Sequence, residues 1–474
     1  MQSFNRYAVA ASRRMFSTRM GPLRAPLTPG AVQTWAAEVA ARPTDQLAAT
    51  VLQNHGPHTA LIKREPLIKS SVNLFNNMVS PQGAPVMNQK QSGRCWLFAA
   101  TNVLRVDVMR RLNLKELKLS PGYLFFYDKL EKAHFFLDQV RHTRSEPVES
   151  RVVQHLLTDP VCDGGQYSMF TNVIQKYGLV PDHVFPDTFN TLASSHLNEM
   201  VTTSLRQYAQ EIREFNGSDS ELDALIEKQT KEIHRLLVLF LGAPPAPTEP
   251  ITWEYVDKDD KYHSLETTPL GFYKDVIQYD TAEAVSLLND PRNKFETVVE
   301  VDRLGNVVGE PYVRYLNVDA DTLAQQAVAA ITANKPVFFG THTPLYHDRK
   351  SGVIDTKLWA HDSIGFNPTQ NKADRLRYHE SLMTHAMTFT GVHLDPKTGE
   401  PIRWKVENSW GKEKVGQEGY FIMTHDYFKE YVYQIVVDRS ALPEPLRAKW
   451  DARNDPSSEK VVLPPWDPCG SLAK

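Results

Sequence analysis

Cysteine is scarce in this chain: Cys95, Cys162 and Cys469 are its three in 474 residues. So few thiols cannot build a disulfide framework, and their scarcity points to a reducing compartment. Long apolar runs are missing too. The longest, such as LLVLFLG at 236–242, fall far short of the ~20 residues that a spanning helix needs, so no membrane span is expected. Charge is nearly balanced at a formal −3, and with 41% apolar and 23% charged residues the chain has the material for a large packed core rather than chain-wide disorder. Internal repeats, low-complexity tracts and phosphate-binding glycine loops are absent. His379-Glu380 is followed by His385 at a spacing of six, not the i, i+4 pair of a zincin helix, so neither a metal nor a cofactor is expected.

Acidic residues are missing from the first 37 positions, which do contain Arg6, Arg13, Arg14, Arg19 and Arg24 with Ser3, Ser12 and Ser17. That composition is the pattern of a mitochondrial transit peptide, assigned to 1–19, with Arg14-Met15-Phe16-Ser17 resembling a processing site. Met20 offers an internal start, so mitochondrion and cytoplasm are both expected locations. Removing 1–19 takes four arginines and leaves 49 basic against 56 acidic residues, a poor basis for nucleic-acid binding through a general basic surface.

What is there falls into segments. An N-terminal extension is placed at 20–69 and a helical lobe at 70–190, in which CWLFAATNVLRVDVMRRL, 95–112, is a helix apolar on nearly every side, with Ser92 or Gly93 to cap it. Within 191–280, an inserted helical subdomain, Leu197, Met200, Val201, Leu205, Tyr208, Ile212 and Phe215 share one helical face up to the stop at Asn216-Gly217. A second helix opens at Ser218 with Glu221 three residues on, and the proline-rich APPAPTEP ends the pair. A β-rich lobe at 281–441 carries KPVFFG, HAMTFTGVHL, IRWKVENSW and GYFIMT as antiparallel strands. The proline-rich tail, 442–474, is expected to run extended over the surface.

A thiol of ordinary pKa ~8.5 is only a few per cent ionised at neutral pH, so a nucleophile needs a local field that favours the anion. Cys95 sits where a helix N-terminus would supply one. Of the 16 histidines, His385 stands out because it opens a strand and is followed by ENSWG, whose Asn408 could accept the other imidazole N–H. Gln89, six positions before Cys95 on the entering loop, could donate to an oxyanion. Trp96 and Trp410 are read as packing residues, Trp410 with a shielding role over His385 and Asn408. Cys162 is read as inert and Cys469 as incidental.

Gln89, GRCWLFAA, CDGG at 162–165, HAM at 385–387 and ENSWG at 407–411 stand in the order found in papain-like cysteine peptidases, which the chain resembles. Cys95 and His385 are 290 positions apart, about twice the ~130 to 150 of the lysosomal enzymes. That excess, SGRCW, an unpaired Cys162 and the ending LPPWDPCGSLAK are similar to the bleomycin hydrolase group, in a fungal-type mitochondrial and cytosolic form. The resemblance implies an α+β, papain-like, two-lobed cysteine aminopeptidase with an inserted helical subdomain and a C-terminal arm that enters the cleft. It also implies a homohexamer that takes peptides with a free N-terminus. Cys95, His385, Asn408 and Gln89 would be catalytic, through a thiolate–imidazolium pair, and Gly164 and Gly165 would line the cleft. Lys474 would be removed, leaving the carboxylate of Ala473 to receive the substrate's α-amino group. Bleomycin-type amides and homocysteine thiolactone are implied as further substrates. A nucleic-acid- or peptide-binding ring with secondary peptidase activity is the alternative.

Overall fold

The computed structural model describes residues 25–343 and 345–472. Residues 1–24, which hold the proposed transit peptide, lie outside them, as do Ala473 and Lys474. The described residues divide into two compact units, one of residues 25–62 with 360–367 and one of the remainder. In the first, Pro29–Ala40 and Pro43–Leu52 are helices that each begin on a proline, whose fixed φ suits a first helical turn.

The second unit carries the core. Its strands are β1 (Asn77–Met78), β2 (Ile251–Val256), β3 (Tyr262–Thr267), β4 (Ala284–Leu288), β5 (Thr297–Val301), β6 (Arg314–Asn317) and β7 (Val337–Thr341). They continue as β8 (His347–Asp348), β9 (Val353–Ile354), β10 (His385–Leu394), β11 (Pro401–Glu407), β12 (Tyr420–Thr424), β13 (Val432–Asp438) and β14 (Lys460–Leu463). Among the described residues, twelve of them form one sheet in the order β14-β5-β6-β4-β13-β7-β10-β11-β12-β9-β8, with β1 added to β10. The four sequence-expected strands lie at its centre, from β7 to β12, and pair antiparallel as expected. The pairs β4–β6, β5–β14 and β9–β12 are parallel.

The Cys95–Arg111 helix is buried on almost every side, as its unbroken apolar start requires. It lies on β10, to which the Thr388 hydroxyl ties it by donating to the Ala99 carbonyl at 3.1 Å. One helical turn before Ala99 stands Cys95, and three strand residues before Thr388 stands His385, so this bond fixes the register of the two chemical groups. Farther along the helix, Arg105 pairs with Glu407 of β11, both side chains almost completely buried.

The helical hairpin spans Ser195–Glu214 and Asp219–Leu241. Ser218 caps the second helix, accepting from the Glu221 N–H while the Glu221 carboxylate accepts from the Ser218 N–H at 2.8 Å. Leu197, Val201, Leu205 and Ile212 are buried as their spacing requires, whereas Met200 is exposed.

The tail departs from the expectation of an irregular surface run. Glu444–Asp451 is a helix and Lys460–Leu463 is β14, which pairs with β5. Pro445 sits in the first turn of that helix, the one helical position where a missing N–H costs nothing.

Candidate active site

Cys95 is the first residue of its helix, and the capping residue is Arg94, without a side-chain cap. Ser92 and Gly93 do not cap it, because both are committed elsewhere. The Ser92 hydroxyl donates to the Gln89 carbonyl at 2.7 Å and accepts from Arg94 Nε at 2.9 Å, and the Gly93 N–H donates to Asp163 Oδ2 at 2.9 Å. The loop is therefore held by its own Ser92 hydroxyl and by Asp163 from outside it, and the N–H groups of Cys95 and Trp96 face the thiol.

His385 opens β10 opposite Thr341 of β7. Its Nε2 lies 2.9 Å from Asn408 Oδ1, which also accepts from the Ser409 N–H at 2.8 Å. With Nε2 donating to that oxygen, Nδ1 is the nitrogen left to exchange a proton with Cys95. The Trp410 ring lies 5.2 Å from the imidazole and tilted 31° to it, covering the His385–Asn408 bond. Asn408 Nδ2 finds no partner among the described residues, so the amide is held by its oxygen alone.

Gln89 is buried and doubly anchored. Its Oε1 accepts from the Ser409 hydroxyl at 2.5 Å, and its Nε2 donates to the Ser92 carbonyl at 2.6 Å. One amide N–H remains for the cavity that Gln89 lines together with Cys95, His385 and Trp410, a space of about 420 Å³. Ser471 and Leu472 of the tail line that same cavity.

Burial pushes the Cys95 thiol up to about 11, opposed by the N–H groups of Ala386, Trp96 and Cys95 itself. Burial also takes His385 down to about 4, opposed by its bond to Asn408. Taken alone, each shift favours the uncharged form of its own group. Both side chains are buried, so each separate charge is penalised. Passing the proton from Cys95 to His385 creates the two charges as neighbours, which offsets much of that penalty.

The glycine pair divides. Gly165 lines a small space with Cys95 and His385, and a Cβ there would meet the Trp96 ring at 2.6 Å. Gly164 lines neither space beside Cys95; its carbonyl accepts from Lys132 Nζ at 2.5 Å. Trp96 packs beneath Gly165 and donates to the Asp163 carbonyl at 2.8 Å.

Sequence reasoning missed the group behind the loop. Asp163 of CDGG receives the Gly93 N–H, Ser194 Oγ at 2.5 Å, Asn198 Nδ2 at 2.8 Å and Lys129 Nζ at 2.7 Å. Burial would raise its carboxyl, but Lys129 and these donors hold it well below the usual range. The signal was an acid directly before two glycines, Gly164 and Gly165. Arg94 is likewise buried and clasps Asp187 at 2.5 and 3.1 Å. Cys469, read as incidental, lies fully buried beside Arg292.

Residues 26–470 match the model of the Peptidase C1-like family. The chain belongs to that family. It is 49% identical to Cysteine proteinase 1, mitochondrial, from Saccharomyces cerevisiae over 94% of its own length and 92% of that protein's. It is 38% identical to bleomycin hydrolase of Mus musculus, over 87% and 91%. Its fold is that of the crystal structure of PepW from Lactobacillus rhamnosis HN001, with a TM-score of 0.89 and 36% identity over 95% of this chain and 100% of PepW. This Peptidase C1-like chain is thus a papain-like cysteine peptidase, and its bleomycin hydrolase homologues support a cysteine aminopeptidase activity.

Proposed function

We propose that this peptidase removes N-terminal residues from peptides, with Cys95 as nucleophile, His385 as the proton carrier, Asn408 as its orienting partner and Gln89 as oxyanion donor. The observation that carries the reading is that Cys95, His385 and the tail residues Ser471 and Leu472 line one cavity. A tail in the cleft leaves room on one side for only a short N-terminal stretch of substrate.

Cys95 sulfur attacks the first peptide carbonyl as His385 accepts the thiol proton, and the oxyanion is met by Gln89 and the Cys95 N–H. His385 gives that proton to the leaving amine. Water then attacks the thioester, His385 takes its proton, and the proton returns to the departing Cys95 sulfur. Loss of Lys474 would place the carboxylate of Ala473 next to Leu472, where it would pair with the substrate's α-ammonium group. Gly165 would flank the bound peptide. Bleomycin-type amides and homocysteine thiolactone are proposed as further substrates, a homohexamer as the assembly, and mitochondrion and cytoplasm as the locations. The yeast relative's name supports the mitochondrial part.

Cys95→Ala should lower the hydrolysis of aminoacyl-arylamides by at least ~1,000-fold, the scale on which removing a nucleophile acts. Labelling with an epoxide thiol reagent should map to Cys95. An alanine variant with wild-type activity would overturn the assignment. Truncation of 471–474 should admit cleavage of peptides whose N-terminus is blocked.

A further inference from the structure

We infer that Arg292 is a positioning residue for the reaction: it clamps the chain just ahead of the cleft, so that the tail meets the substrate at a fixed depth. The inference rests on the proposed role of the tail and adds the device that holds it.

Arg292 lies in the loop between β4 and β5. Its Nε and Nη2 donate to the two oxygens of Asp290, each at 2.9 Å, and Nη2 donates also to Asp467 Oδ1 at 2.7 Å. Asp290 is fully buried and Asp467 nearly so. The loop has contacts of its own that do not involve the arm: Asn317 Oδ1 accepts from the Asp290 N–H at 2.8 Å and Asn317 Nδ2 donates to the carbonyls of Asp290, Asn293 and Lys294. A preset guanidinium thus reaches across 175 residues of chain to one carboxylate of the arm.

Around Asp467 the arm is pinned on all sides. Arg151 lies over the Trp466 ring at 4.0 Å. Tyr315 donates to the Cys469 carbonyl at 3.3 Å, and the Cys469 sulfur accepts from Arg292 at 3.5 Å. A Cβ on Gly470 would stand 2.8 Å from Val301 Cγ1, so the backbone is pressed onto β5. The Met383 N–H donates to the Pro468 carbonyl at 3.3 Å, two residues before His385. Ser471 and Leu472 follow at once in the cavity. Depth in the cleft is therefore set over residues 466–470, Asp467 standing four residues before the first tail residue that lines it, and Gln166 Nε2 donates to the Ser471 carbonyl at 3.3 Å.

The test compares Arg292→Met, Arg292→Lys, Asp467→Asn and the 471–474 truncation on one peptide with a free or an acetylated N-terminus. A charged hydrogen bond of this kind is worth enough to shift the tail's population about tenfold on removal. Arg292→Met should raise the blocked-to-free cleavage ratio by about that factor and raise KM for the free peptide more than it lowers kcat. Arg292→Lys and Asp467→Asn should fall between it and the wild type. Epoxide labelling of Cys95 and thermal unfolding report the fold; if Arg292→Met does not fold, Asp467→Asn carries the test. Folded variants with the wild-type ratio would overturn the clamp while the truncation still admits blocked peptides. A truncation that leaves the ratio unchanged would overturn the tail's role itself, and the clamp with it.

Discussion

The thiol and the imidazole each sit where burial opposes their charge, and this leaves a signature in stability as well as in rate. The folded pKa of His385 is depressed from 6.5 to about 4 by burial. Between those values the unfolded chain binds more protons, so the histidine's contribution is complete above pH 6.5 and is lost as pH falls toward 4. Denaturant unfolding of wild type and His385→Ala from pH 4 to 7 should show the wild-type stability falling more steeply on acidification; parallel curves would refute it. Gln89 is held at both ends of its amide, so its substitution tests a preset donor. Gln89→Ala should lower kcat by roughly 100-fold, with epoxide labelling of Cys95 retained, because the donor acts on the oxyanion and not on the thiol.

Elements position these groups through a few buried contacts. The helix that begins at Cys95 and the strand that begins at His385 are joined by the Thr388 to Ala99 bond, and farther along the Arg105–Glu407 pair links that helix to β11. Burial raises the Glu407 carboxyl while Arg105 holds it down. Glu407→Ala would leave a buried guanidinium unpaired and should cost about 3 to 5 kcal/mol in unfolding free energy, measured by denaturant titration. The hairpin helices were legible from the spacing of Leu197, Val201, Leu205 and Ile212 and from the Ser218–Glu221 cap, and HAMTFTGVHL from its β-rich run, although as β10 it is buried on both faces. The helix cap was not, since Ser92 and Gly93 are claimed by Arg94 and by Asp163, 70 residues away. Nor was the tail helix, where proline was read as a breaker although it occupies a first turn.

For the whole molecule, the proposed homohexamer should sediment at about six times the mass of one chain under conditions where peptidase activity is measured; an active monomer would remove the proposal. The residues around Cys95, His385 and Asn408 could be nominated from the sequence because each lies in a short run whose local form, loop into helix or start or end of a strand, is set by its neighbours. Their order along the chain also survives the long insertion between them. Whether they meet, how dry the cleft is, and what fills it were decided by the tertiary structure. Asp163 draws on Gly93, Lys129, Ser194 and Asn198, and Asp467 draws on Arg292. Such partners are chosen by packing between distant segments, and the burial that opposes charge on Cys95 and His385 is a property of the folded cleft. A linear sequence encodes local periodicity directly, but it encodes dielectric and long-range pairing only through the fold.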